Sequence, residues 1–328
     1  MTAYQKFLTL VGEAGYFDQH DHVLIAVSGG IDSMTLFDWL YEAKDVLGVS
    51  LSVAHVNHKQ RPESDVEENQ LSEKMKHLGI PFYSADYVGV FSEEKAREFR
   101  YHFFESIMTE HAISALVTAH HKNDLIENFL IRQIRGSRLR HMTSMKPVQS
   151  FGPSIAHLEL IRPLLSFEKS EFETTDYFED ASNAENTYLR NRVRNLYLPT
   201  FEKENSKFSD HLASLIAEIN KAMTVVSYSA RAFSGAEKID LIEFGREISE
   251  MQYFILQEYI SQFPLLEVSK AQFDELLYII NRDGQYFNAI SAHYNFVKDR
   301  YYFYIEESSN TTEFETSLTP FVEGEYNQ

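Results

Sequence analysis

The sequence contains no cysteine. Disulfides, thiolate zinc sites and persulfide chemistry are therefore excluded. It has no run of about 18 apolar residues, so no membrane-spanning helix is expected. Met1 to Gly12 hold a single lysine and no extended apolar core, which argues against a secretory signal peptide. No internal repeat is evident. Positive charge is scarce: 30 Lys and Arg stand against 49 Asp and Glu, a net charge of −19. Taken alone, that balance argues against a nucleic-acid binder. Together these absences point to a cytoplasmic enzyme. What is present is apolar matter enough for cores: 328 residues, 44% hydrophobic and 14% aromatic, suit two domains.

The charge is unevenly spread. From Asn128 to Leu158 there is no Asp or Glu, while Arg132, Arg135, Arg138, Arg140 and Lys146 are present. From Thr187 to Phe201 acids are again absent, and Arg190, Arg192 and Arg194 cluster. The segment after Tyr304 holds Glu306, Glu307, Glu313, Glu315, Glu323 and Glu325 and no cation. The two basic islands fit either a polyanion surface or an ordinary solvated helix face, and charge alone leaves both open.

The most informative local feature is Val23–Val27 followed by Ser28-Gly29-Gly30-Ile31-Asp32-Ser33 and then a helical pattern with Met34, Leu36, Phe37 and Leu40. Strand, glycine turn and helix start make an anion site, because unpaired N–H groups and the positive end of the helix dipole point at one spot. Gly29 and Gly30 carry no Cβ to block a phosphate. Ser28 and Ser33 offer hydroxyls, and the Asp32 carboxylate could hold Mg²⁺. The loop lacks the Walker lysine and the dinucleotide Gly-x-Gly-x-x-Gly.

Strand-like runs recur at Val23–Val27, Leu51–Val56, Pro81–Tyr87 and Ala115–Ala119, with helical patterns between them. One helix is expected to open on a capping box, Ser64-Asp65-Val66-Glu67, and to stop at Gly79; others span about 92–111 and 122–135. Alternation of this kind means a doubly wound α/β parallel sheet with its ligand beyond the carboxyl ends of the strands. Ser28–Ser33, His55–Arg61 and His120–Glu127 all follow strand ends, so three unusual segments meet on one rim. The expected domains are 1–205 for nucleotide chemistry and 206–305 as a second, smaller, mostly helical domain. In the second, helices are expected near 209–230, 246–261 and 271–281 and a hairpin over 286–305. An acidic, poorly ordered tail over 306–328 completes the expectation.

His55 and His58 leave a strand at i,i+3 spacing, which puts them on opposite faces and disfavours a shared metal. Asp124 and Glu127 fall on one face in the first turns of a helix starting near Lys122. They could grip an ammonium, bind Mg²⁺ or take a proton from an amine, or simply complement the helix dipole. Arg97 and Arg100 could contact phosphate or carboxylate, or pair with Glu93, Glu94 or Glu98.

Together these segments resemble the tRNA(Ile)-lysidine synthetases, a tRNA-modifying branch of the PP-loop ATP pyrophosphatase superfamily. Ser28–Ser33 matches the PP-loop, and Ala54–Arg61 resembles the family's Ala-His-Val-Asn-His-x-Leu-Arg. Ala96–Tyr101 matches its Ala-Arg-x-x-Arg-Tyr, and Ala119–Glu127 resembles its Ala-His-His-x-Asp-Asp-Gln-x-Glu. Leu130–Met145, Ile161–Leu165 and Glu179–Pro199, with Asp180, Asn183, Tyr188 and the Arg190–Arg194 cluster, follow in the family's order. Asn123, Leu125 and Asn128 depart from that pattern, as do Gln60, Arg138, His141 and Ser144.

The resemblance implies a PP-loop, adenine nucleotide hydrolase-like fold and a ligase that forms a carbon–nitrogen bond. ATP would lie on Ser28, Gly29, Gly30, Ile31, Asp32 and Ser33, with Mg²⁺ at Asp32. The wobble cytidine of minor isoleucine tRNA would be adenylated and then joined to free L-lysine. Asp32, Asp124 and Glu127 would be catalytic. His55, Asn57, His58, Arg97, Arg100, His120, Arg135, Arg190, Arg192 and Arg194 would contact substrate or tRNA. A homodimer is compatible. The alternatives are a catalytically silent PP-loop paralogue that binds ATP or tRNA, or a PP-loop amidotransferase acting on a small molecule. A metal hydrolase built on the histidines is the weakest reading.

Overall fold

In a computed structural model of the chain, the described residues are 1–59, 63–89, 92–142, 145–151, 158–174, 176–178, 188–233, 235–263 and 266–308, with the side chains of 93, 140 and 141 outside that description. They form two compact units, Met1–Ile219 and Asn220–Gln328.

The first unit opens on helix α1 (Ala3–Ala14), which the strand pattern had not announced. Thr2 and Gln5 cap it reciprocally, and Gly15 ends it in the left-handed region. Then follow β1 (His22–Ala26), α2 (Ile31–Leu47), β2 (Ser50–Asn57), α3 (Ser64–Leu78), β3 (Phe82–Asp86), α4 (Glu93–Glu110), β4 (Ala115–Val117) and α5 (Lys122–Ile134). After these come α6 (Leu139–Met142), β5 (Val148–Ser150), β6 (Glu159–Ile161), α7 (Leu189–Arg192), α8 (Leu198–Glu204) and α9 (Phe208–Ala230), whose last turns enter the second unit. The sheet order is β3-β2-β1-β4-β6-β5, parallel except that β5 runs against β6. Four of the strands match the expected runs; β5 and β6, three residues each, had no periodicity to reveal them.

Alternation along the strands feeds two cores. Val23, Ile25, Leu51, Val53, Ala115 and Val117 join a cluster with α1, α2 and α3. Leu24, Ala54, Val56, Leu116 and Leu160 join another with Phe104, Ile107 and Met108 of α4. Both faces are therefore covered, as a parallel sheet requires. The expected capping box of α3 does not form: Glu63 occupies the cap position in helical backbone geometry, with no side-chain cap bond.

Because β1 lies between β2 and β4, the chain reverses its direction of travel across the sheet at β1. The crevice beyond the carboxyl ends of β1 and β4 is the switch point where ligands bind in open α/β sheets.

The second unit contains β7 (Ile239–Asp240), α10 (Leu241–Arg246), α11 (Ser249–Ile260), α12 (Lys270–Ile280), β8 (Tyr286–Ala289), β9 (Tyr294–Lys298) and β10 (Tyr302–Glu307). Its strands form an antiparallel sheet, β7-β10-β9-β8. The expected hairpin is thus three consecutive strands, joined at the edge by β7. Phe244, Tyr259, Phe273, Phe296 and Phe303 fill its core. Glu306 and Glu307, expected in the tail, belong to β10; residues 309–328 lie outside the described residues.

Candidate active site

β1 runs out at Ala26, and the turn that follows is braced from within. Ser33 Oγ accepts the Ser28 N–H (3.1 Å) and donates to the Gly30 carbonyl (3.0 Å). The Ser33 hydroxyl is therefore an internal strut and is buried, not an outward donor. Gly30 caps α2 without any side-chain hydrogen bond, and the first intrahelical bond is Met34 N–H to Gly30 O. The N–H groups of Ile31, Asp32 and Ser33 consequently have no intrahelical acceptor and remain for an anion.

The two glycines serve different ends. Gly29 has φ +86°, and a Cβ there would lie 2.6 Å from the Phe178 ring, whose backbone N–H donates to the Gly29 carbonyl at 2.9 Å. The space above Gly29 is thus taken by Phe178, not kept for a phosphate. At Gly30 the nearest atom to an added Cβ would be Ser28 Oγ at 3.7 Å, so this is the position that stays open.

The loop after β4 reaches the same crevice. His121 caps α5, accepting the Asn123 N–H on Nδ1 at 3.2 Å. That leaves its Nε2 facing two carboxylates, Asp124 Oδ2 at 3.3 Å and Asp32 Oδ2 at 3.7 Å. Lys169 Nζ stands 3.5 Å from Asp32. Burial opposes ionisation of Asp32, but His121 and the Lys169 ammonium outweigh it and hold the carboxyl below its usual range. At Asp124 burial is likewise outweighed, by His121, Arg190 and His120, and the carboxyl is again lowered.

Asp124 and Glu127 do share a face of α5, and the basic island of α7 closes over them. Arg190 donates to Asp124 Oδ1 (2.5 Å) and to Glu127 Oε2 (3.0 Å). Arg194 donates to Glu127 Oε1 (2.6 Å) and Oε2 (3.0 Å). Glu127 is 1% exposed, with both oxygens occupied. Arg190 and Arg194, expected on tRNA, here neutralise the expected catalytic acids. They stand one helical turn apart, across the start of a π-type turn, Val193–Tyr197, that links α7 to α8. Pro199 has no N–H to donate and would crowd the Asn195 carbonyl of a regular helix, which accounts for the wider turn.

The last residues of β2 support the loop from beneath. His55 is buried, and its Nδ1–H donates to the Val27 carbonyl at 2.8 Å. Asn57 is 1% exposed and spends its amide on Asp65 and Glu68. Both were expected to touch substrate; in the structure both are buried in internal hydrogen bonds, on a strand flanked by β1 and β3, with Asn57 bonded to Asp65 and Glu68 of α3. His58 is half-buried against Tyr87, and burial with the Arg100 and His55 charges lowers its pKa to about 4. Burial lowers His120 to about 3, against the pull of Asp124 and with the push of Arg162, Arg190 and Arg97. Its Nδ1 lies 2.9 Å from Thr118 Oγ1. Arg97 is exposed and lies over the Tyr101 ring at 4.6 Å, while Arg100 is half-buried. Arg135 is exposed at the end of α5, and Arg192 is half-buried in α7. Gln60, Arg61, Asp180 and Asn183 lie outside the described residues.

His121, Arg162, Lys169 and Phe178 were not among the expected site residues, although His121 and Arg162 lie inside the matched segments Ala119–Glu127 and Ile161–Leu165. The signals for His121 were its place just before a helix start and within the His-His pair of the matched segment. Arg162 is 4% exposed and donates to the Lys146 carbonyl and to Gln149 Oε1. Lys169 and Phe178 arrive from segments with no local pattern that points back to Ser28–Ser33.

Residues 1–201 match the family model of the PP-loop domain. A tRNA(Ile)-lysidine synthase of Streptococcus gordonii is 45% identical over 306 residues, 92% of this chain and 70% of its own length. One from Streptococcus sanguinis is 46% identical over 305 residues, 93% of this chain and 70% of its own length. Among solved structures, a U34-tRNA thiolase from Methanococcus maripaludis, described with its [4Fe-4S] cluster, shares the fold. Its TM-score is 0.51 at 14% identity, covering 66% of this chain and 78% of that one. With a glycine turn at the switch point, carboxylates drawn up beside it and relatives matched along nine-tenths of its length, the chain belongs to the PP-loop family and, within it, to the tRNA(Ile)-lysidine synthases.

Proposed function

We propose that the chain uses ATP to join free L-lysine to the wobble cytidine of minor isoleucine tRNA, releasing pyrophosphate and AMP. The observation that carries this reading is the meeting of two loops at His121, which stands between Asp32 of the phosphate turn and Asp124 of α5. An activating site and an amine-accepting site are thereby contiguous.

The first step transfers AMP. The base's carbonyl oxygen attacks the α-phosphorus, that bond forms, and the bond to the bridging oxygen breaks as pyrophosphate departs. The free N–H groups of Ile31, Asp32 and Ser33 and the Lys169 ammonium supply positive potential for the phosphates. Asp32 suits Mg²⁺: its Oδ1 is buried without a hydrogen-bond partner among the described residues, and its carboxyl is held ionised. Bound there, the cation would add charge neutralisation at the phosphates.

In the second step the lysine ε-amine attacks the activated ring carbon, and AMP leaves with the oxygen. The amine must lose its proton to do so. Asp124 is the proposed acceptor because it adjoins the phosphate turn: its Oδ2, which accepts the His121 backbone N–H, lies 3.3 Å from the His121 Nε2 that also faces Asp32, whereas Glu127 is 1% exposed and both its oxygens receive arginine N–H groups. Glu127 then acts by holding Arg190 and Arg194. Kinship with the synthases supports a homodimer working in the cytoplasm; no described helix is long and apolar enough to cross a membrane.

The test is purified protein with ATP, Mg²⁺, labelled lysine and a minor isoleucine tRNA transcript. Label should enter the tRNA only when all are present. Asp32→Ala should abolish incorporation, and Asp124→Asn should cut it more than the amine-independent exchange of pyrophosphate into ATP. Incorporation unchanged in both variants would remove the assignment.

A further inference from the structure

Lys169 is the cation of the phosphate turn with the least frame of its own. It opens a 3-10 turn of three residues, Lys169–Glu171, and its side chain is 49% exposed. Its Nζ nonetheless stands 3.5 Å from each oxygen of Asp32. An ammonium on a long flexible stem keeps to one place only when the backbone beneath it is fixed, because each free rotor spreads it over further positions.

The start of α5 supplies the fixing, residue by residue. The Lys122 N–H donates to the Phe167 carbonyl at 2.9 Å, and Phe167 is buried against Phe7 and Trp39. The Lys122 ammonium donates to Glu168 Oε1 at 2.8 Å. The Asn123 side chain completes the row, its Oδ1 accepting the Lys169 N–H at 3.3 Å. That N–H belongs to the first residue of the 3-10 turn and has no acceptor within it. Asn123 is also a place where the chain departs from the pattern it resembles, which has Asp there. The exchange removes a charge and keeps an acceptor, since either side chain offers an oxygen to an N–H. Its neighbours on each side, His121 and Asp124, face the crevice that holds Asp32. One turn of α5 therefore carries the amine acceptor and, through Asn123, the seat of the phosphate cation.

We propose that Asn123 is a positioning residue for the adenylation step: its amide oxygen fixes the backbone of Lys169 so that the ammonium stays beside Asp32 and meets the triphosphate. The proposal rests on the reading above for its ATP, and it adds a residue that itself touches no substrate.

The experiment titrates ATP with Mg²⁺ into the full chain and into its Asn123→Ala, Asn123→Asp and Lys169→Met variants and the double variant Asn123→Ala with Lys169→Met. Lysine labelling of the tRNA transcript is followed in parallel. Asn123→Ala should weaken ATP binding about 3- to 10-fold and leave the KM for lysine as it was. Asn123→Asp keeps the acceptor and should bind ATP within about twofold of the unaltered protein. On the Lys169→Met background Asn123→Ala should weaken ATP binding no further, because the group that it positions is gone. Additive losses in the double variant would overturn the proposal; a loss of fold would appear on both backgrounds and counts with that result. A raised KM for lysine with ATP binding intact would also overturn it, by assigning Asn123 to the support of Asp124. ATP affinity is read without RNA or lysine. Failure of the unaltered protein to label tRNA, together with non-additive ATP losses, would therefore remove the broader reading and leave Asn123 in its role.

Discussion

Gly29 and Gly30 are neighbours that cannot be exchanged for one another. Alanine at Gly29 meets both a left-handed backbone and the Phe178 ring, and should cost about 1–3 kcal/mol of stability. Alanine at Gly30 has ordinary room and should cost under about 1 kcal/mol, yet its methyl would stand in the open part of the turn. Urea unfolding and ATP titration of the two variants check this: Gly29→Ala should lose stability first, Gly30→Ala should lose nucleotide affinity while staying folded. The histidines carry a second prediction. His120 and His58 are held near 3 and 4 against an ordinary 6.5, so between those limits the unfolded chain binds protons that the folded chain refuses. Stability therefore falls as pH drops below about 6.5 and goes on falling to about 4 for His58 and about 3 for His120, and the contribution is fully present only above the unfolded value. Unfolding at several pH values should show that slope, and His120→Gln should flatten it. The residues of the turn were legible in the sequence because their chemistry is contiguous. The fate of His55 and Asn57 was not, since His55 meets the Val27 carbonyl and Phe82, and Asn57 meets Asp65 and Glu68 of α3, only once the elements are assembled.

At the scale of elements, the long and periodic pieces were the readable ones. The expected helix over 122–135 and the observed Lys122–Ile134 nearly coincide, because an apolar stripe and a glycine stop are local facts. The pairing of α5 with α7 was hidden. A cluster of arginines in a sequence looks the same whether it awaits a polyanion or satisfies a carboxylate that lies 63 residues before one arginine and 67 before another. The π-type turn gives this pairing its own prediction. Replacing Pro199 by alanine restores the missing N–H and removes the crowding at Asn195, so the turn can tighten to a regular helix. Thermal stability should hold or rise, while lysine incorporation falls because Arg190 and Arg194 rotate relative to the buried anchor Leu198. Unaltered incorporation in a stable Pro199→Ala variant would show that the wider turn is incidental.

For the whole molecule, a net charge of −19 misled only as long as it was treated as a sum. The proposed RNA contact on the two acid-free stretches predicts binding that weakens with salt, at a shallow slope because few phosphates are engaged. With about four phosphates engaged, log K should fall with log salt at a slope near −3, whereas ATP affinity should change far less. Filter binding of tRNA between 50 and 200 mM salt, at about these limits, reads the slope directly. The fold class was legible because alternating strands and helices admit few topologies. The loop's outer supports were not, for Lys169 and Phe178 have no signature that ties them to Ser28–Ser33. The bond from Phe178 to the Gly29 carbonyl has a consequence for synthesis. A ribosome makes the nucleotide turn early, but the ring and amide that seat it emerge only when translation has gone on to residue 178. Until then the nascent chain carries the motif without its keeper, and competence for ATP arrives late, when the first unit is nearly finished.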